Sequence, residues 1–309
     1  MDILINSTIL VFCLAIICKG ATLLVDNSSK IAKRLGVSEL IIGLTIVAFG
    51  TSAPEFCVTI SAAIRGVSNI SVGNIIGSNI FNMGIILGSA AIIRNLKTTD
   101  SMVHRDGFFL LIASVVAVGM LWDLELSRLE GLILFSLLIF YLGNLYSSKQ
   151  CNQEVEIETR NLQAKDIVML ITGLGMLLLG SHFLISSATH LARILGVSEW
   201  IIGATIIAAG TSMPEIATSI IAAIRGHNGI SVGNLIGSDI FNVLGALGLA
   251  AIIREMPLES TARPSLLIYP AMVGIALFFL RTDWKLSRKE GIALVLFGLA
   301  RWTYSFLLQ

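Results

Sequence analysis

The chain has 309 residues, 55% hydrophobic and 13% charged, with a formal net charge of +1 and a mean hydropathy of +0.86. That composition excludes an ordinary soluble domain, and the near-neutral charge gives no reason to expect a nucleic-acid partner. What remains is a protein that crosses the bilayer several times.

Ten apolar runs long enough to span follow one another near 3–25, 40–64, 70–93, 107–121, 128–146, 166–188, 200–224, 230–253, 265–281 and 290–308. The first lacks a basic leader and a clear small-residue cleavage site, so it reads as a retained helix, not a signal peptide. Five runs precede the polar stretch 147–164 and five follow it. The reading is an all-α integral membrane protein of ten transmembrane helices: a five-helix repeat over 1–146, a cytoplasmic linker over 147–164 and a second five-helix repeat over 165–309. Cys13, Cys18, Cys57 and Cys151 show no paired spacing, so neither a disulfide framework nor a zinc site is expected.

The two halves repeat each other. Residues 35–94 read LGVSELIIG…GTSAPE…AAIRG…ISVGNIIGSNIFN…AAIIR and residues 195–254 read LGVSEWIIG…GTSMPE…AAIRG…ISVGNLIGSDIFN…AAIIR, in register at an offset of 160 with 40 of 60 positions identical. Five spans is an odd number, so the second copy enters the membrane upside down relative to the first, and the repeats are inverted. Assigning loops alternately, fourteen of the 21 Lys and Arg fall on one side and six on the other, while Lys19 lies inside the first span. The positive-inside rule then puts both termini on the non-cytoplasmic side. The plasma (cell) membrane is the expected residence.

Within GTSAPE, Pro54 cannot donate to the carbonyl of Gly50 and its ring clashes there; Pro214 does the same to Gly210. A helix broken at membrane depth is tolerated only where its loosened backbone is buried in protein or lines a polar cavity. Freed carbonyls are hard ligands of the kind that sodium and calcium accept. Thr51, Ser52 and Glu55 cluster at the first break, and Thr211, Ser212 and Glu215 at the second. All offer oxygen, none offers sulfur or nitrogen, and zinc, copper and iron are thereby disfavoured. On the next helix of each half Asn74, Ser78 and Asn82 line one face, as do Asn234, Ser238 and Asn242, while Gly73 with Gly77 and Gly233 with Gly237 form GxxxG pairs. A lone Ser, Thr or Asn in a membrane helix is usually interhelical glue, but a glutamate held at the bilayer centre, at about 2.5–3.5 kcal/mol on insertion scales, reads as functional by default. Two glutamates brought together repel each other unless a cation lies between them, and a divalent ion would neutralise the pair.

Other polar residues rank lower. Lys19 has apolar Leu179 as its counterpart and reads as snorkelling or as a partner of Asp26. Asp239 has Asn79 as its counterpart and points about 100° from Ser238 on an ideal helix, the place of a supporting or vestibule group. His104 and His227 fall in predicted loops. No HExxH and no GxSxG appears, so the chain does not read as an enzyme. A cation channel is a further class, disfavoured because an inverted pair forms a central occluded site instead of a ring of like elements.

GTSAPE and GTSMPE, followed by GNIIGSNIFN and GNLIGSDIFN, resemble the two alpha repeats of the sodium/calcium exchanger family, within the calcium/cation antiporter superfamily. The resemblance implies ten helices in two inverted halves, with the first and sixth helices sliding past a core that holds four adjacent cation sites. It puts calcium between Glu55 and Glu215, aided by the backbone oxygens of Thr51 and Thr211. One sodium site would use the Ala48 carbonyl, Thr51, Ser52, Glu55 and Ser238. Its mirror would use the Ala208 carbonyl, Thr211, Ser212, Glu215 and Ser78, with Asn82 and Asn242 bordering the middle. Some close relatives are expected to carry aspartate where this chain has Asn242, which leaves two carboxylates at the site and makes calcium/proton exchange the alternative coupling. Glu215 stands where potassium-dependent relatives carry aspartate. The function implied is secondary active exchange of calcium for sodium by alternating access, as calcium export down a sodium gradient. Calcium, sodium and the lipid bilayer are the expected partners, with protons as the alternative ion; no cofactor and no obligatory protein partner is implied.

Overall fold

The structure is a computed structural model that describes residues 2–148, 163–197, 206 and 208–307. Most of the 147–164 linker, including Cys151, and the start of the 200–224 run lie outside the described residues. Twelve helical stretches are used below: α1 (Asp2–Leu35), α2 (Glu39–Thr51), α3 (Ala53–Arg65), α4 (Ser68–Ile93), α5 (Ser101–Asp123), α6 (Arg128–Ser148), α7 (Ala164–Ile194), α8 (Ala208–Thr211), α9 (Met213–Arg225), α10 (Asn228–Ile253), α11 (Ser260–Trp284) and α12 (Arg288–Leu307). Among the described residues seven helices are long and apolar enough to cross a membrane, and the bent pair α2–α3 makes an eighth span. The expected count of ten is therefore not confirmed among the described residues. The α8–α9 stretch is preceded by residues outside the description, and α12, with Arg288, Lys289, Glu290 and Arg301, is not among the seven.

Local chemistry sets the helix ends identically in both halves. Pro54 and Pro214 occupy the first turn of α3 and α9, where a missing N–H costs nothing. The same helices close on Gly66 (φ 75°) and Gly226 (φ 85°), in a left-handed conformation that glycine adopts without strain. A capping box opens α6: Ser127 N and Oγ donate to Glu130 Oε2 while Glu130 N donates back to Ser127 Oγ; Ser287 and Glu290 repeat it at α12.

The contacts between the halves come in exchanged pairs. Strands β1 (Leu96–Lys97) and β2 (Glu125–Leu126) pair antiparallel with β4 (Lys285–Leu286) and β3 (Met256–Pro257) respectively, so Leu96 faces Leu286 and Leu126 faces Met256. Arg94 Nη1 donates to the carbonyl of Ile224, and Arg254 Nη1 to that of Ile64. Shifting both partners by 160, one forward and one back, converts each contact into its mate, which is a pseudo-twofold relation. Helices α1 and α7, the first of each half, run antiparallel: a Cβ built on Gly173 would meet Gly20 and Leu24, and one on Gly180 would meet Ile17 and Cys13. An Arg34–Asp166 ion pair joins their far ends. The opposed directions of α1 and α7 express the inversion of the two halves.

Helices α10 and α4 lie innermost, 83% and 72% buried over their apolar windows, against 33% for α1 and 28% for α6 and α7. Outward-facing Phe12, Leu129, Phe140, Leu179 and Phe278 present the apolar face that lipid requires. The helices that carry the asparagine and serine stripes thus sit where lipid cannot reach them.

Candidate functional site

The break in the first half falls at Ser52 (φ −77°, ψ 4°), and the two segments α2 and α3 meet at a bend of 49°. Ser212 (φ −84°, ψ 10°) occupies the same position in the second half. Each break throws its serine across to the other half. Ser52 Oγ donates to Glu215 Oε1 at 3.1 Å, and Ser212 Oγ donates to Glu55 Oε1 at 3.0 Å. The two glutamates are near enough to feel each other's charge, and each is only 1% exposed. On each carboxylate the second oxygen, Oε2, is buried without a hydrogen-bond partner.

Unpartnered buried acceptors are rare in proteins, and an isolated one costs about 1–3 kcal/mol, more when charged. Here five gather in neighbouring elements: Glu55 Oε2, Glu215 Oε2, Asn82 Oδ1, Asn242 Oδ1 and Asp239 Oδ2. All are oxygens, and a hard cation is the ligand that satisfies several at once.

Thr51 Oγ1 lies 3.3 Å from the Ala48 carbonyl, donates to Asn234 Oδ1 at 3.0 Å and lies 3.4 Å from Ser238 Oγ, so three of the expected ligands, Ala48, Thr51 and Ser238, meet at this end beside the stripe residue Asn234. At the other, Asn242 Nδ2 donates to Asn79 Oδ1 at 2.9 Å and reaches Ser78 Oγ at 3.5 Å, while Ser78 Oγ donates to the Ile75 carbonyl. Thr211 is 6% exposed and borders Ser212; Ala208 opens α8 and its side chain lies outside the described residues. The stripe asparagines anchor the inner helices to the broken ones. Asn74 Nδ2 donates to the Glu55 carbonyl and to Thr59 Oγ1, and Asn234 Nδ2 to Ser219 Oγ.

The π turns and Tyr269 carry no sequence signal, and Asp239 lies where the sequence expectation is only half met. The helix wall is wound into π turns at Gly43–Val47, Asn82–Ile86 and Phe241–Leu247, which loosens the i→i−4 ladder beside Ala48, Asn82 and Asn242. No residue pattern marks such turns. Asp239 is fully buried, and Asn82 Nδ2 donates to its Oδ1 at 2.9 Å. The 100° step that sets it aside from Ser238 turns it toward α4, so it is no vestibule group. Tyr269 of α11, fully buried, accepts a hydrogen bond from Asn79 Nδ2, which also donates to the Asp239 carbonyl. The signal for Asp239 was present, an acid at membrane depth; for Tyr269 there was none.

Elsewhere the structure settles smaller expectations. Asp26 pairs with Arg225 at 2.5 Å, not with Lys19, which is exposed. His227 caps α10 and bonds Glu39 Oε1 at 2.8 Å, tying α10 to α2. Gly233 and Gly237 meet Leu40, Leu44 and Ala48 of α2 closely, whereas the segment matching α2 in the second half lies largely outside the described residues and no contact is described for Gly73 or Gly77. Cys13, Cys18 and Cys57 are free thiols.

Two halves related by exchange, each giving a broken helix, a buried acid and an oxygen-lined inner helix, define a class of protein: a multi-pass membrane transporter of small cations. The comparisons agree. A family model described as sodium/calcium exchanger protein matches residues 6–146 and 165–300. The chain is 33% identical to the sodium/calcium exchanger MaX1 of Methanosarcina acetivorans, covering 96% of this chain and 97% of that protein. It is 32% identical to the inner membrane protein YrbG of Escherichia coli, covering 93% and 91%. A solved structure of the sodium-calcium exchanger NCX_Mj, soaked with zero Na+ and Ca2+, matches with a TM-score of 0.85 at 29% identity, covering 96% of this chain and 98% of that one. The chain belongs to the sodium/calcium exchanger protein family.

Proposed function

We propose that the protein exchanges calcium for sodium across the membrane by alternating access, exporting calcium under an inward sodium gradient. The observation that carries this is the reciprocal pair Ser52–Glu215 and Ser212–Glu55, which fixes two buried carboxylates with one free oxygen each. Calcium bound between Glu55 and Glu215 neutralises them; sodium ions compete for the same acids with Thr51, Ser52, Ser238 and the Ala48 carbonyl on one side, and Thr211, Ser212, Ser78 and the Ala208 carbonyl on the other. Asn82 and Asn242 close the middle. Competition for shared ligands makes binding mutually exclusive, and mutual exclusion is the physical basis of exchange.

The division into halves at 1–146 and 165–309 is in keeping with the two segments, 6–146 and 165–300, that the family model matches, and the linker between them is assigned to the cytoplasm on its lysine and arginine content. With five spans in each half, the lysine and arginine distribution puts both termini outside the cytoplasm. Neither a cofactor nor an obligatory partner enters this scheme. The neutral Asn242 favours one alternative, calcium/proton exchange, in which protons replace sodium on the glutamates.

The test uses purified protein in liposomes loaded with sodium and diluted into sodium-free calcium, with choline-loaded liposomes and an imposed pH gradient as separate arms. Calcium uptake is expected in the sodium arm alone; uptake driven only by the pH gradient transfers the protein to the alternative. E55Q and E215Q each leave a buried acid without its cation partner site, and each is expected to lower calcium uptake by about 100-fold or more, in line with the 3–5 kcal/mol cost of breaking a buried charge pair. Wild-type uptake in both variants would remove the assigned site.

A further inference from the structure

We propose that Asp239 is a cation-binding carboxylate, forming with the amide oxygens of Asn82 and Asn242 a monovalent-cation subsite adjacent to the glutamate pair. The inference rests on the exchanger reading and adds a third acid to it.

The pseudo-twofold relation exposes the residue. Asn82 on α4 donates to Asp239 on α10, and Asn242 on α10 donates to Asn79 on α4. These two hydrogen bonds are mates under the offset of 160, and they differ at one position only, amide in the first half and acid in the second. The amide is satisfied at both ends: Asn79 Oδ1 accepts from Asn242, and its Nδ2 donates to the Asp239 carbonyl and to Tyr269. The acid is not. Asp239 Oδ1 takes the Asn82 bond while Oδ2 is buried and unpartnered.

The oxygens of Asn82 and Asn242 are likewise buried and unpartnered, because each amide has turned its nitrogen to the bond just described. Asp239 and Asn242 are 0% exposed and Asn82 is 1% exposed, so all three are enclosed by protein. An acid fixed here purely for packing would be expected to have both oxygens bonded, as buried acids ordinarily do.

Charge selects the ligand. One carboxylate and two amide oxygens carry one negative charge, which a single monovalent cation neutralises, whereas a divalent ion would leave net positive charge buried. Asp239 is within electrostatic range of Glu215, but among the described residues no three acid, histidine or cysteine side chains converge as a metal cluster. The subsite is therefore a neighbour of the glutamate pair, coupled to it by charge and by the shared Asn82 and Asn242. It also answers the neutral Asn242: the carboxylate absent there stands three residues earlier, on the face of α10 turned to α4.

The experiment measures sodium-dependent calcium flux in proteoliposomes for wild type, D239N and D239E at a series of sodium concentrations. D239N copies the residue that the fold already accepts at position 79, and D239S is read in its place if D239N does not purify folded. The expected result is a sodium Hill coefficient lower by about one, with half-saturating sodium raised tenfold or more, in the neutral variant, and a Hill coefficient like wild type in D239E. A neutral variant with the wild-type sodium profile overturns the subsite while leaving the glutamate site standing. A Hill coefficient lowered equally in D239E shows that shape at this position matters and not the carboxylate, which also overturns it. Wild-type flux that ignores sodium and follows a pH gradient overturns the subsite together with the exchanger reading.

Discussion

At the scale of single residues, the decisive fact is that the serine and the glutamate of one motif do not serve each other. Ser52 and Glu55 are three apart and share a helix face on paper, yet Ser52 bonds Glu215 and Ser212 bonds Glu55. A hydrogen bond to a charged group is worth about 1.5–3 kcal/mol, roughly a factor of ten to a hundred in affinity. S52A and S212A are each expected to raise half-saturating calcium by about tenfold, and to do so alike, since the two bonds are mates. Calcium-dependence of flux at fixed sodium measures both; a silent variant on one side would show that the two halves do not share the load. Much of the site was legible in the sequence, because a carboxylate is costly in a membrane helix and the proline beside it marks where the backbone opens. The identity of each serine's partner was not legible, since it depends on which half the break faces. Asp239 is legible as an acid at membrane depth, and helix geometry gives its direction, but only the fold shows that Asn82 of α4 lies there.

Among elements, the inner helices succeed by being small where they touch and polar where they face the site. A Cβ on Gly237 would stand 2.7 Å from the Ala48 Cβ and 2.7 Å from the Leu44 carbonyl, so α10 lies directly against the backbone of α2. Alanine there must push apart the two helices that carry Ser238 and Ala48. G237A is expected to destabilise by about 1–3 kcal/mol, the usual range for overpacking, and to lower the melting temperature of the detergent-solubilised protein. G119A, on an exposed face of α5 where a Cβ meets nothing among the described residues, is the control. It is expected to be neutral or to stabilise by up to about 1 kcal/mol, because alanine is the better helix former. Equal melting of the two variants would show that the close approach is not enforced. The GxxxG spacing announced one tight contact, whereas the π turns beside Asn82 and Asn242 had no sequence mark, because they trade local hydrogen bonds against the packing of whole helices.

For the whole molecule, the governing quantity is the charge that the core carries through the membrane. The inversion was readable from an odd number of spans per repeat, and the antiparallel α1 and α7 express it; the sum of charge at the centre required the fold, because Asp239 joins the count only once α4 is seen to face it. With Glu55, Glu215 and Asp239 ionised, three monovalent cations neutralise the core, and one calcium leaves a single negative charge. The sodium-loaded core is then neutral and the calcium-loaded core carries one negative charge, so the two limbs differ by one elementary charge. Each cycle then moves one net charge, and a potential of 100 mV acts on it with about 2.3 kcal/mol, a factor of roughly 50 in the calcium ratio at balance. Liposomes clamped with potassium and valinomycin at opposite potentials, at fixed sodium on both sides, should settle at calcium ratios that differ accordingly. A ratio indifferent to potential would mean two monovalent charges per calcium, and would strike Asp239 from the charge that moves while leaving the glutamate pair in place.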